Sequence, residues 1–186
     1  MKLIVVRHGR TLYNEAGVIG GHTQTFLSES GKKDNDALAE RLKDFGITAV
    51  HTSDRIRAID SARQICKYHP KVRMTSRPLL RERNYGAHEG KPKPSHWDMI
   101  GRSEWEAPGG ETWDEVAGRV RMLIEELKKN HMKETVLVVA HNGFLCIMIS
   151  LLLEKNYKKG LDEGLQNSSP VFIEVCEKSA SIVNSF

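Results

Sequence analysis

Long apolar runs are missing from this sequence. The longest, Phe144 to Leu153, includes Ser150 and is too short to span a bilayer. The four apolar residues Leu3 to Val6 are too few for a signal-peptide core. Both absences argue against membrane insertion and export, and the expected compartment is the cytoplasm. Blocks of five or six like charges are also missing, so there is no basic tail or stripe to suit nucleic acid. Cysteine is scarce. Cys66, Cys146 and Cys176 are odd in number and show no CxxC spacing, which fits free thiols in a reducing compartment and not a disulfide framework. The eight histidines contain no HExxH, and His88 with His96 is no recognised ligand spacing, so a metal is not expected.

What is present is an ordinary folding chain. Its 186 residues, 39% apolar and 28% charged, are enough for one domain with a substantial core, expected over 1–186. The net charge of +4 is mild and suits an anionic small molecule. A homodimer is left open as the assembly.

Short apolar runs rich in β-branched residues alternate with stretches of helical spacing. Leu3–Val6, Ile47–His51, Val72–Thr75 and Thr135–Ala140 read as strands, each ending in polar residues. Residues from about Ser28 to Phe45 read as a helix with Ser30 as N-cap and Gly46 as its stop. Ile56–Tyr68 reads as a helix capped by Asp54 or Ser53, Thr112–Lys129 as a strongly amphipathic one, and Phe144–Leu153 as a buried one. Val171–Cys176 and Ser181–Val183 suit a strand or an antiparallel pair. The pattern predicts an α/β three-layer sandwich, a mostly parallel sheet with helices on both faces. From about 77 to 110 it is broken by Pro78, Pro92, Pro94, Pro108 and several glycines, with a short helix expected near Ser95 to Gly101. A long ordered loop of this kind is usually functional, here a substrate lid. Trp97, Trp105 and Trp113 surround it and suit core or lid packing.

Two of the strands end in histidine: Arg7-His8-Gly9 and His141-Asn142-Gly143. In open α/β sheets ligands bind beyond the carboxyl ends of strands, so both histidines would reach one pocket if these strands are neighbours. Arg55 and Arg57 follow the second strand. Two arginines and two histidines suit a phosphoryl group, because guanidinium matches phosphate oxygens two at a time. Gly9 and Gly143 would let backbone N–H groups approach the anion, at the start of the Phe144 helix. One histidine could attack phosphorus if its other ring nitrogen is held by a carbonyl. The leaving group then needs an acid. Glu82 is the first candidate, with Glu89 and Glu111 behind it. Arg83, Tyr85, Lys91 and Lys93 are placed to contact the rest of the substrate.

These segments together resemble the histidine phosphatase superfamily, also called the phosphoglycerate mutase-like family. The matching motifs are Val6-Arg7-His8-Gly9-Arg10-Thr11 with Asn14, Thr52-Ser53-Asp54-Arg55-Ile56-Arg57-Ala58, Leu80-Arg81-Glu82 with Gly86 and Glu89-Gly90, Pro108-Gly109-Gly110-Glu111-Thr112, and Val139-Ala140-His141-Asn142-Gly143, in order from residue 3 to about residue 153. The resemblance implies that His8 carries the phosphoryl group and that Arg7, Arg57 and His141 clamp it. Glu82 would be general acid and then base, and Asn14 and the Asn142-Gly143 backbone would support the phosphate. The chain departs from the family at Gln24-Thr25-Phe26-Leu27, at Asp34 and at Asn142, positions that shape the substrate mouth. Only 17 residues separate Gly90 from Pro108, fewer than in dedicated mutases of the family, which favours hydrolysis of a small phosphorylated metabolite. The expected enzyme needs no cofactor. The alternatives are a phosphoglycerate mutase using 2,3-bisphosphoglycerate, and a binding module that keeps the pocket without the chemistry.

Overall fold

Leu3 and Val5 point to one side of the first strand and Ile4 and Val6 to the other, and this alternation divides the core in two. The computed structural model describes residues 1–185. Its strands are β1 (Lys2–Arg7), β2 (Ala49–Ser53), β3 (Arg73–Arg77), β4 (Thr135–Ala140), β5 (Pro170–Val175) and β6 (Ala180–Val183). They form one sheet in the order β3-β2-β4-β1-β5-β6. β3, β2, β4 and β1 run parallel, and β5 and β6 are added by antiparallel pairing.

The helices are α1 (Leu12–Glu15), α2 (Glu29–Leu42), α3 (Ile56–Ile65), α4 (Trp113–His131), α5 (Asn142–Leu152) and α6 (Tyr157–Glu163). Leu38 and Leu42 of α2 and Ala62 and Ile65 of α3 pack on Ile4, Val6, Val50, Leu137 and Val139. The other face receives Val116, Val120 and Leu123 of α4, Phe144 and Leu145 of α5 and Leu161 of α6, against Leu3, Val5, Val136 and Val138. The result is the three-layer α/β arrangement that the alternation predicts. Fully buried side chains such as Leu3, Leu123 and Phe144 each contribute about 1.5–3 kcal/mol. Among the described residues no helix is long and apolar enough to cross a membrane.

Several boundaries differ from the sequence reading for local reasons. α2 is capped by Ser28, whose hydroxyl accepts the Gly31 N–H at 3.2 Å, while Ser30 turns to Glu15. α3 has no side-chain cap from Ser53 or Asp54, because Asp54 is spent on Arg55 and Arg81. Instead the Ile56 N–H reaches Gln24 Oε1 at 3.1 Å. α3 stops at Ile65, and a 3-10 turn over Cys66–Tyr68 completes the expected segment. α4 begins at a capping box formed by Thr112 and Glu115, a device typically contributing about 1 kcal/mol. α5 starts two residues early, at Asn142, with His141 as its N-cap. α1 and α6 are elements that the sequence reading did not find. The 77–110 stretch has no long helix. It is built of 3-10 turns, at Pro78–Leu80, Gly86–His88, Ser95–Asp98 and Arg102–Glu104.

Candidate active site

β1 and β4 are hydrogen-bonded neighbours, with Arg7 opposite Ala140 and the His8 N–H on the Ala140 carbonyl at 3.0 Å. The chain leaves β1 for α2 on one face and leaves β4 for α5 on the other. The carboxyl ends of these two strands are therefore a switch point, where a crevice opens. A cavity of about 290 Å³ lies there, lined by Arg7, His8, Asn14, Arg57, Glu82, Tyr85, His141, Asn142 and Gly143 among others.

His8 is the best-defined group in it. Its Nδ1 lies 2.8 Å from the Gly9 carbonyl, which can only accept, so the ring proton sits on Nδ1. On the other side the Arg57 Nε–H, which can only donate, lies 3.2 Å from His8 Nε2. Both contacts require the same tautomer, with a lone pair on Nε2. Burial, then Arg57 and Arg7, hold the His8 pKa well below the usual histidine value, so the ring is neutral at physiological pH. The Gly9 peptide is fixed by its own N–H on Ser61 Oγ at 2.9 Å, and Ser61 is bonded in turn by Asn35 at 3.2 Å. A Cβ at Gly9 would meet Asn35 Nδ2 at 2.8 Å, so only glycine lets this loop sit against α2.

Arg57 is 3% exposed. Its Nη groups donate to the Thr23 and Gly21 carbonyls at 2.8 and 2.7 Å, which fixes the guanidinium against His8. Burial pushes its pKa down to about 10, so it stays cationic at neutral pH. Arg7 donates from Nη1 to the Leu165 carbonyl at 2.7 Å, while its buried Nε has no partner among the described residues. His141 lies edge-on to His8, with ring centroids 5.1 Å apart. Burial, Arg57 and His8 hold its pKa well below the usual value, and neither ring nitrogen has a partner among the described residues. Unpaired buried groups of this kind suit the binding of an anion.

The three candidate acids separate cleanly. Glu82 lines the cavity, with its carboxylate at the start of α5. It accepts the Gly143 N–H at 2.9 Å, the Phe144 N–H at 3.3 Å and the Arg83 N–H at 2.9 Å. Glu89, bonded by the N–H groups of His22 and Tyr85, does not line the cavity. Nor does Glu111, which is bonded by Arg119 and the Asn84 N–H.

Other expected contacts are placed differently. The Gly9 and Gly143 N–H groups are not free for a phosphate, because Ser61 and Glu82 take them. A Cβ at Gly143 would meet Glu82 Oε1 at 2.7 Å, so that glycine serves the acid. Asn142 lines the cavity, but its carboxamide oxygen accepts the Leu165 N–H at 2.7 Å and tethers that loop. Arg83 lies outside the cavity lining. It is buried over the Trp113 ring and bonded to the Glu111 and Trp105 carbonyls, both at 2.6 Å. Asn14 and Tyr85 do line the cavity, Asn14 with its oxygen on the Thr11 N–H. Lys93 lines it and Lys91 does not. The sequence reading missed Tyr13 and Arg102 in the lining, and Asn35 and Ser61 beneath it; Thr11, Thr25 and Trp105, which also line the cavity, it noted only as part of a motif, the substrate mouth and the lid packing. Ser61, one helical turn after Arg57, was findable; Arg102 stands in no pattern. Among the described residues no three His, Cys, Asp or Glu side chains are grouped to hold a metal ion.

The model of the histidine phosphatase superfamily (branch 1) matches residues 3–185. A metal-independent phosphoserine phosphatase of Arabidopsis thaliana is 36% identical over 157 residues, which is 77% of this chain and 65% of the relative. Fructose-2,6-bisphosphatase TIGAR B of Danio rerio is 36% identical over 141 residues, 71% of this chain and 55% of the relative. The chain thus spans about two thirds or less of these relatives' length. The alpha-ribazole phosphatase structure from Shigella flexneri superposes with a TM-score of 0.88 over 98% of this chain and 95% of that one, at 24% identity, a likeness of fold.

Proposed function

The chain belongs to the histidine phosphatase superfamily, branch 1, and from that premise we propose that it hydrolyses small phosphate monoesters through a phosphohistidine on His8. The observation that carries this reading is the His8 ring. One nitrogen is tied to a carbonyl at 2.8 Å, and the other presents its lone pair inside a cavity lined by Arg7, Arg57, His141 and Glu82.

In the first step the Nε2 lone pair attacks phosphorus while the P–O bond to the leaving group breaks. The departing oxygen takes a proton from Glu82 in its acid form. Arg57 moves its N–H from Nε2 to a phosphoryl oxygen, and Arg7 and His141 supply further donors to the charge that develops. In the second step water attacks the phosphohistidine, Glu82 takes the proton, and inorganic phosphate leaves with His8 restored. The steps use this chain's own groups, in keeping with a relative whose name describes it as metal-independent. Phosphoserine and fructose 2,6-bisphosphate, in the relatives' names, are small phosphate esters of the size that the cavity suits.

The test is phosphorus NMR with 3-phosphoglycerate, a trace of 2,3-bisphosphoglycerate and a chelator, with His8→Ala alongside. Inorganic phosphate that depends on His8 is the expected result. Accumulation of 2-phosphoglycerate without free phosphate would mean a mutase. Binding without turnover would mean a binding module.

A further inference from the structure

The loop that carries His8 and the helix that carries Arg57 are joined by a buried polar chain beneath the cavity. Gly31, Asn35, Leu38, Ala39 and Leu42 form the buried face of α2, and Asn35 is the one polar side chain among them. It is 0% exposed, as is Ser61 on α3, and neither lines the cavity. Burying a carboxamide is costly unless its groups are bonded, and an apolar residue would fill this helix face without that cost. Both donors and the oxygen of Asn35 are used. Its Nδ2 donates to Ser61 Oγ at 3.2 Å and to Gln64 Oε1 at 2.9 Å, and its Oδ1 accepts the Ser168 hydroxyl at 2.8 Å.

We propose that Asn35 is a positioning residue for the nucleophile: acting through Ser61, it sets the His8 ring against Arg57 and keeps the Nε2 lone pair turned to phosphorus. This rests on the reading of the site under Proposed function. The hydrogen bonds run in one direction. Ser61 Oγ–H donates to the Arg57 carbonyl at 2.7 Å, an ordinary bond for a helical serine. That commits its only proton, so the oxygen can only accept from its other neighbours. It takes the Gly9 N–H at 2.9 Å and the Asn35 amide. One hydroxyl thus pins the residue after the nucleophile to the backbone of the clamp arginine. Gly9, held by its N–H, presents its carbonyl to His8 Nδ1 at 2.8 Å, and Arg57 Nε–H meets Nε2 at 3.2 Å. A reversed Asn35 amide would set its oxygen against those of Ser61 and Gln64. Asn35 also reaches the loop before β5. Ser168 there has a φ of 51°, a left-handed conformation uncommon outside glycine, and its N–H donates to the Arg7 carbonyl at 3.0 Å. The neighbouring Asn167 donates to the His8 carbonyl at 2.7 Å. Asn35 therefore ties α2, α3 and this loop together around His8, in a chain whose bonds polarise one another.

The test compares wild type, Asn35→Leu, Ser61→Ala, Ser61→Thr and the double variant Asn35→Leu/Ser61→Ala, by turnover of p-nitrophenyl phosphate and by nitrogen-15 NMR of the His8 ring. In wild type the Gly9 amide should exchange slowly with solvent, and the ring should show one tautomer with its proton on Nδ1. Asn35→Leu and Ser61→Ala should each lower kcat by roughly 10- to 100-fold, the cost of a small misplacement of a reacting atom, with KM changed by less than about threefold. In both, the His8 signals should move towards the average of two exchanging tautomers. Ser61→Thr keeps the hydroxyl and should recover most of the loss. The double variant should be no slower than Ser61→Ala, because Asn35 acts through that hydroxyl. Exchanging tautomers or a rapidly exchanging Gly9 amide in wild type overturn the inference, and those measurements need no variant to fold. Losses that multiply in the double variant also overturn it, as does a loss of kcat with the His8 signals unchanged, which would make Asn35 a packing residue. Unchanged kcat in Asn35→Leu removes this inference alone. A single His8 tautomer without turnover of any ester removes the reading of the site.

Discussion

Two walls face each other across the cavity, and they are built differently. One hangs on regular structure. Arg7 ends β1, His8 follows it, His141 caps α5 after β4, and Arg57 lies in the first turn of α3. The other, with Tyr85, Lys93, Arg102 and Trp105, has only 3-10 turns and little backbone ladder of its own. Side chains replace the ladder there. Arg83 bonds two carbonyls, Glu89 accepts two N–H groups, and Trp105 stacks on Trp97 with centroids 4.4 Å apart and donates to its carbonyl. The difference teaches a division of labour. On the proposed mechanism, bond making sits where the sheet fixes the atoms, and substrate choice would sit where side chains can be exchanged without disturbing the sheet.

The strongest attack on this division is His8→Ala. If chemistry resides in the strand-edge wall, turnover should fall by roughly 10⁴- to 10⁶-fold on every phosphate ester alike, as loss of a nucleophile does. A loss that depended on the substrate would mean that the facing wall shares the chemistry.

Glu82 sharpens the comparison, because it lies in the irregular segment by sequence and in the strand-edge wall by geometry. Its carboxylate is fixed by the N–H groups of Gly143 and Phe144 on α5. Glu82→Gln should cost about 10²–10⁴ in kcat on an alkyl ester, whose leaving group needs a proton. On p-nitrophenyl phosphate, whose leaving group departs unprotonated, the first step should suffer far less. Equal losses on both would show that Glu82 positions α5 without donating a proton.

The strand-edge wall was legible in the sequence and the facing wall only in part, since Tyr85 and Lys93 were read as substrate contacts and do line the cavity while Arg102 was not found. Period-two alternation and abrupt polar ends located β1 and β4, and two histidines at corresponding strand ends located the site. Arg83 and Tyr85 follow Glu82 directly, but only Tyr85 lines the cavity. Their directions are set by turns with no period, and the partners of Arg83, at Glu111 and Trp105, are distant in sequence. The same holds for Gln24, which caps α3 from 32 residues away. Gly143 was misread for another reason. A glycine beside a histidine at a helix start fits an anion site, and only the coordinates reveal that the anion there is Glu82.

A smaller effect is expected from Arg83→Met. The substitution removes the guanidinium that lies over Trp113 and leaves the Glu111 and Trp105 carbonyls unpaired. The cost should be about 1–3 kcal/mol, or roughly 2–4 °C in Tm per kcal/mol for a chain of this size. Turnover of p-nitrophenyl phosphate should hold, while KM for larger esters should rise. A collapse of kcat would mean that the two walls are not separable.

The smallest effect concerns protonation, and its sign is fixed by burial. His8 and His141 are held neutral well below the usual histidine pKa, and His51, under α4 beside His131, is pulled down to about 4 by burial and that neighbour. In the unfolded chain all three would take up protons near pH 6.5. Below that value the unfolded state binds more protons than the folded one, so stability is complete above about pH 6.5 and declines as pH falls towards 4. Asp54, held low first by its Arg81 hydrogen bond, adds its own loss only below the ordinary carboxylate pKa. Urea unfolding at pH 7.5, 5.5 and 4.5 should therefore show a decline that begins before the carboxylates titrate, and His51→Gln should make it shallower. NMR of the histidine rings separates the contributions. The His8 and His141 signals should stay constant through pH 6.5, and a midpoint between 6 and 7 for His8 would mean that its lone pair is not reserved for phosphorus at physiological pH.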